Sequence, residues 1–373
     1  MRESSVASAS KQVVSFSDDA VAKEIFSVGE ALFPSILPLL EEADPQGTIS
    51  AQSRKLCASL GALAQACYAE LGGVVHQEAV GRAAALLSLL TKLDDQVIDG
   101  LGFHGRLHSD RASVEARVRA YLAPTLRSIF EAKAETAEPR CALAAELGRS
   151  LRAISSHPAR LSSLLEWITK GWEIQAQGVA WFSTHPAPQQ LAAIEEITAQ
   201  ISGAWLLMIT LVGTLPEDAS RMLTLDEQEA YGAWGRWIQS ADALADFAKD
   251  CADGMGNSVA GHRLWLARPA RYLDAYKRGD MARLYTMLEE TQTDTSLLPP
   301  VAAIENLEER LSSLPSLVRM LRWIQRFLIQ RYLYHPLCAR EPSHPSFAAY
   351  TTKGALPSDP WLASYVSPPV EGI

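Results

Sequence analysis

Six aspartates carry the chemistry open to this chain. In "LLSLLTKLDDQVIDG", residues 86–100, an apolar helical run ends in Asp94 and Asp95, and Asp99 follows. In "WIQSADALADFAKDCADGMGN", residues 237–257, Asp242, Asp246 and Asp250 recur at every fourth position. A step of four residues turns only about 40° around an α-helix, so these three carboxylates form one stripe. Asp253 and Asn257 lie beyond it, next to Gly254 and Gly256. Like charges at this spacing repel each other, which a solvated helix face tolerates. The first run, however, is apolar almost all round, the mark of a buried helix. There an unpaired carboxylate costs on the order of several kcal/mol. Divalent cations remove that cost. Hard oxygen donors suit Mg²⁺, which keeps several waters and completes its shell with substrate phosphate oxygens. Two facing aspartate clusters therefore point to a magnesium-bridged phosphate or diphosphate ligand.

The elements that must hold such clusters are helices. Between about residue 17 and residue 335, apolar residues recur at three- and four-residue spacing. Helices are expected over 21–43, broken or kinked by Pro34 and Pro38, and over 50–73. Another runs from His76 into the first aspartate cluster. Others fit 110–134, 138–155, 158–183, 188–213, 225–252 and 300–334. No alternating strand pattern or Asn-Gly hairpin signal occurs, and no repeat or linker divides the chain. The fold expected is all-α, a single-domain helical bundle with a central cavity, over residues 17–340. Residues 1–16 are Ser-rich and expected to be disordered. Residues 341–373 are Pro-rich yet hold Phe347, Tyr350, Trp361 and Tyr365, which suits a tail packed over the surface or the cavity mouth.

Composition narrows the function. The chain has 373 residues, 48% hydrophobic and 21% charged, with a formal charge of −9. The acidic balance, with no basic block, argues against nucleic acid as a partner. The five cysteines show no CxxC pair, so neither a disulfide framework nor a zinc site is expected. No signal peptide is apparent. The apolar run "GAWLLMITLVGTL", 203–215, falls short of the roughly 20 residues needed to span a bilayer. The expectation is a cytoplasmic protein without an integral membrane segment.

These motifs resemble the class I isoprenoid synthase superfamily, whose all-α chains carry two Asp-rich motifs on separate helices. "DDQVID" is similar to the first motif in its DDxxxD form, found in squalene and phytoene synthases and some bacterial terpene synthases. "DALADFAKDCADGMGN" looks like the second motif of the bacterial large-terpene synthases that make tetraprenyl-curcumene. The resemblance implies catalytic and metal roles for Asp94, Asp95, Asp99, Asp242, Asp246 and Asp250, with Asn257 as a further ligand and three Mg²⁺ ions. It also implies a prenyl diphosphate substrate. Lys249, Arg326, Arg331 and Tyr332 are its candidate binding residues, since arginine meets phosphate bidentately. Aromatic faces that could stabilise a carbocation lie at Trp172, Trp181, Phe182, Trp205, Trp234 and Trp237. The activity implied is that of a terpene synthase, a carbon–oxygen lyase; a homodimer is compatible with it. The alternatives are a prenyltransferase joining two prenyl diphosphates and a catalytically silent helical interaction protein.

Overall fold

The computed structural model describes residues 18–103, 110–182, 188–252, 259–340, 344–347 and 350. Among them there are helices and no β-strand, as the periodicity requires. In chain order the helices are α1 (Asp18–Ala43), α2 (Ala51–Ser59), α3 (Gly61–Glu70), α4 (Gln77–Phe103), α5 (Arg111–Glu131), α6 (Pro139–Ile154), α7 (Pro158–Phe182) and α8 (Leu191–Leu211). There follow α9 (Leu225–Ala245), α10 (Phe247–Ala252), α11 (Val259–Ala267), α12 (Pro269–Arg278), α13 (Met281–Glu290), α14 (Thr293–Ser296), α15 (Val301–Arg310) and α16 (Pro315–Leu333). The expected disorder of residues 1–16 concerns residues outside those described.

Several boundaries differ from the periodicity. Pro34 and Pro38 sit inside one continuous helix, α1. The segment expected as one helix over 50–73 is split at Leu60. A Cβ on Gly61 would lie 2.6 Å from the Gly81 carbonyl oxygen, so α3 meets α4 backbone to backbone there. The 300–334 segment also splits, at residues 311–314. Leu314 is non-helical (φ −131°, ψ 58°) ahead of Pro315, because a residue before proline is pushed out of the helical region. The short helices α11–α14 were not expected individually.

α4 is the central helix. It packs against α1, α2, α3, α5, α6, α7 and α8, and Val80, Ala83–Ala85, Leu86, Leu87, Leu89 and Leu90 have no exposed surface. That all-round burial is what its sequence called for. α8 lies close along α9: a Cβ on Gly235 would fall 2.0 Å from the Gly203 Cα. Only glycine allows two backbones so near, and the contact brings the inner faces of both helices to one space. The span Leu191–Thr214 has the length and hydropathy of a membrane-crossing helix, beyond the 203–215 run singled out above. In the bundle, 78% of its most apolar window is buried, as in a core helix.

The start of α9 is pinned by a buried carboxylate. Thr224 and Glu227 form a capping box. Glu227 also accepts hydrogen bonds from Arg221 Nη1 (2.6 Å), Arg221 Nη2 (2.7 Å) and Ser313 Oγ (2.5 Å). Ser313 lies just before α16, so the same carboxylate ties the first turns of α9 and α16 together. Phe347 and Tyr350 are buried, and the Tyr350 hydroxyl donates to the Pro299 carbonyl. The tail thus begins packed on the bundle; Trp361 and Tyr365 lie outside the described residues.

Burial alone would raise the Glu227 carboxyl, but the hydrogen bonds from Arg221, Ser313 and Thr224 outweigh it and leave the value at about 2. A carboxylate held below its ordinary 4.5 stabilises the fold above that pH, and the gain is lost as pH falls towards 2. Glu227→Gln should therefore lower Tm by a few degrees at pH 7. The gap from the wild type should close as the pH of the melts is taken down from 4.5. A pH-independent gap would show that the charge contributes nothing.

Candidate active site

One cavity of about 300 Å³ lies at the centre of the bundle, within the size range of small-molecule sites. α4 contributes Asp95 and Asp99, α9 contributes Asp242, Asp246 follows it, and α10 contributes Lys249 and Asp250. α16 adds Arg331. The two aspartate clusters, separate in sequence, line a single space.

The second stripe survives a break between α9 and α10. Asp246 itself sits at the junction (φ −94°, ψ 3°). The Asp246 amide still donates to the Asp242 carbonyl (2.8 Å), and the Asp250 amide to the Asp246 carbonyl (2.9 Å). Helical register is carried across the bend, so the three side chains keep one face. Asp253 and Asn257 lie outside the described residues.

The clusters are within electrostatic reach of each other. Asp99 is raised well above the ordinary carboxylate range, first by burial and then by Asp95; Lys92 and Lys249 oppose the rise and Asp250 adds to it. Asp242 is pushed up to about 7, by burial and then by Asp246, with Asp95 on the opposite wall adding to it. Asp242 faces open cavity space and is still shielded from bulk water by the bundle, so burial dominates.

Resident cations offset part of this repulsion. Lys92 Nζ lies 2.7 Å from Asp95 Oδ2, and Gln175 Nε2 donates to Asp95 Oδ1 at 2.8 Å. Arg331 Nη1 lies 2.7 Å from Asp246 Oδ1. α9 and α16 run side by side, fastened near one end by Glu227 and Ser313 and near the other by this ion pair. Lys92 and Gln175 were missed by the motif reading. The signal for Lys92 was its place three residues before Asp95, the spacing at which helical charges pair; Gln175 had none.

Three expected residues lie elsewhere. Asp94 is buried on another side of α4, against Arg140 and Trp172. Burial raises its carboxyl to about 6 despite Arg140. Tyr332 is fully buried and donates to Asp294 Oδ2 at 3.0 Å, away from the cavity, because it adjoins Arg331 on α16 and points to a different face. Arg326 does not line the cavity either; it lies half-buried near Arg322, whose guanidinium is lowered by burial and by that neighbour. Lys249 and Arg331 do line it.

The rest of the wall is largely apolar. Leu56, Leu60, Val179, Ile201, Leu206, Ile238 and Leu328 line it, with the aromatic rings of Trp205, Trp323 and Phe327. Of the aromatics expected from sequence, Trp205 is there. Trp234 is core, Trp172 faces the Asp94 seam, and Trp181 packs under Arg111. Neither Trp237 nor Trp181 lines the cavity, and the Phe182 side chain is outside the described residues.

Among the described residues, no three His, Cys, Asp or Glu side chains close on one point as a protein-only metal site would. Magnesium does not require that, since one or two carboxylates with waters and phosphate oxygens suffice. The donor set fits such an ion: oxygen ligands, with carboxyls raised first by burial and then by like charge.

No protein-family model matches the sequence, and no curated protein matches it. Among solved structures, one similar chain is a mutant of the SVS_A2 protein from ancestral sequence reconstruction. Its TM-score is 0.46 at 14% identity, over 92% of this chain and 94% of that one. Another is a variant of cucumene synthase, with a TM-score of 0.39 at 15% identity, over 79% of this chain and 96% of that one.

The raised Asp242 value has a measurable consequence in metal-free protein. A carboxyl with a folded value above its ordinary 3.8 opposes folding once pH exceeds that ordinary value, and the penalty is complete above about 7. Asp242→Asn should raise Tm at pH 8 and change it little at pH 4. Equal effects at both pH values would count against the buried repulsion.

Proposed function

We propose that this protein ionises a prenyl diphosphate, acting as a class I terpene synthase. The observation that carries the reading is the convergence of Asp95 and Asp99 with Asp242, Asp246 and Asp250 on one cavity whose remaining wall is largely apolar. Those five residues would hold magnesium, with Asn257 as a further candidate beyond the described residues. Bound magnesium would supply the positive charge that a departing diphosphate needs. The chain's own part is threefold.

First, Arg331 and Lys249 bind phosphate oxygens. Arg331 is already held at the cavity wall by Asp246, and its planar fork suits two oxygens at once. Lys92 is placed to offset the charge of Asp95 and Asp99. Second, the aliphatic wall excludes water. When the allylic C–O bond breaks, both electrons leave with the diphosphate oxygen and the prenyl chain becomes a carbocation, which water would quench. Third, the faces of Trp205, Trp323 and Phe327 can stabilise that cation by their ring quadrupoles. No general base is needed to start the reaction.

A second reading has one observation in its favour. With Asp94 turned away, the first cluster reduces to Asp95 and Asp99, four residues apart, and Asp246 and Asp250 repeat that spacing. Matching pairs of this kind belong to the resemblance with squalene and phytoene synthases, which join two prenyl diphosphates. The carbon count of the product decides between the two.

The test is incubation with Mg²⁺ and prenyl diphosphates of graded length, with mass spectrometry of the products. A terpene of the substrate's own carbon count is expected, and twice that count would favour the second reading. Asp95→Asn and Asp246→Asn should each cut turnover by about 100-fold or more while the fold is kept. Near wild-type turnover in both variants would sink the two-cluster site.

A further inference from the structure

Asp94 and Asp95 are neighbours on α4, so their side chains diverge by about 100° around its axis. A divergence of that size lets one of the two leave the cavity while the other lines it. Asp95 and Asp99 take the cavity side. Asp94 enters the seam where α4 meets α5, α6 and α7, and is 1% exposed. Both of its oxygens are engaged there: Oδ1 lies 3.4 Å from Arg140 Nη1, and Oδ2 accepts from Trp172 Nε1 at 3.2 Å.

Arg140 is itself built in. Its Nη1 donates to Thr125 Oγ1 (3.2 Å), its Nε donates to Glu138 Oε2 (2.6 Å), and its guanidinium lies 3.5 Å from the centroid of the Tyr121 ring. The space beside Asp94 is a void of about 20 Å³. That is room for about one water, and too little for a magnesium ion that keeps several waters.

We infer that Asp94 is a positioning residue and not a metal ligand: through Arg140 and Trp172 it sets the rotation of α4 that directs Asp95 and Asp99 into the cavity. The inference rests on the diphosphate-ionising reading and changes its ligand set, moving the working motif to Asp95 and Asp99. Close packing of Leu86, Leu87, Leu89 and Leu90 and the Arg82–Glu146 pair hold the first half of α4, and the Asp94 contacts fix its rotation next to the cavity. A buried charge tied to α6 and α7 adds to that setting at the position beside Asp95. Asparagine cannot replace Asp94 cleanly. Its single oxygen cannot serve Arg140, Trp172 and the Tyr121 hydroxyl together, and its N–H₂ then faces a donor.

The experiment is titration of Mn²⁺, with inorganic pyrophosphate present, into the full chain, followed by electron paramagnetic resonance. Wild type, Asp95→Asn, Asp94→Asn, Arg140→Gln and the double variant Asp94→Asn/Arg140→Gln are compared, each with its thermal melt. Asp95→Asn should weaken Mn²⁺ binding by about 100-fold or more. Asp94→Asn and Arg140→Gln should each weaken it by about tenfold, as outer partners of a metal site do. The double variant should be no weaker than either single one, because the two act as one unit. If Asp94→Asn matches Asp95→Asn while Arg140→Gln leaves binding unchanged, Asp94 is a ligand and the inference falls. A lowered Tm with unchanged Mn²⁺ affinity in Asp94→Asn reduces the pair to a packing contact and also overturns it. Should Asp94→Asn not fold, Arg140→Gln decides: about tenfold weakening supports the inference and none refutes it. Absence of Mn²⁺ binding in the wild type would instead overturn the functional reading, and this inference with it.

Discussion

Five like-charged carboxylates gathered on one cavity are the constraint around which the site is built. Asp95, Asp99, Asp242, Asp246 and Asp250 share one cavity, and both Asp99 and Asp242 are raised because burial and neighbours of the same sign oppose their charge. A bundle that gained only from apolar burial would place such residues on its surface. Keeping them inside requires positive partners. Lys92 and Arg331 each lie 2.7 Å from one of these carboxylates. Two raised carboxyls remain despite them, and that residual demand for positive charge is what makes a cation-assisted anion a fitting ligand.

The surrounding scaffold can be understood as what holds those groups against their repulsion. α4 is fully buried over residues 83–90, and Lys92 and Gln175 hold Asp95 at the cavity beyond that stretch. α8 and α9 meet at Gly203 and Gly235 so closely that their inner faces share one wall. α9 and α16 are fastened near one end by Glu227, Arg221 and Ser313 and near the other by Asp246 and Arg331. The second fastening belongs to the cavity itself, so a group that binds Arg331 also bears on the packing of α16. The bend at Asp246 costs little because the amide–carbonyl bonds continue through it.

Apolar and charged walls divide the labour in the proposed reaction. Charge gathers where α4, the α9–α10 junction and the end of α16 meet, and the remaining wall is largely aliphatic or aromatic with a few neutral polar groups such as Gln175, Ser202 and Gln239. A diphosphate with a hydrocarbon tail has the same division. Water exclusion falls to residues such as Leu56, Val179 and Ile238, which carry no chemistry of their own and leave no motif.

Much was legible in the chain itself. The 3.6-residue period made the fold all-α, because apolar spacing alone dictates which face of a helix is buried. The four-residue spacing of Asp242, Asp246 and Asp250 placed them on one stripe, and the apolar flanks of Asp94, Asp95 and Asp99 marked a buried helix. Spacing along a helix gives the angle between side chains, but it does not say which angle faces which neighbour. Only the packed bundle decided that Asp95 and Asp99 face the cavity while Asp94 meets Arg140. It likewise turned Arg331 inward and sent Tyr332 to Asp294. Trp323 and Phe327 entered the cavity wall from α16, and Trp234 went to the core. These outcomes depend on the rotation of each helix about its own axis. Contacts among α4, α6, α7, α9 and α16, distant in sequence, fix that rotation, and no local pattern records it.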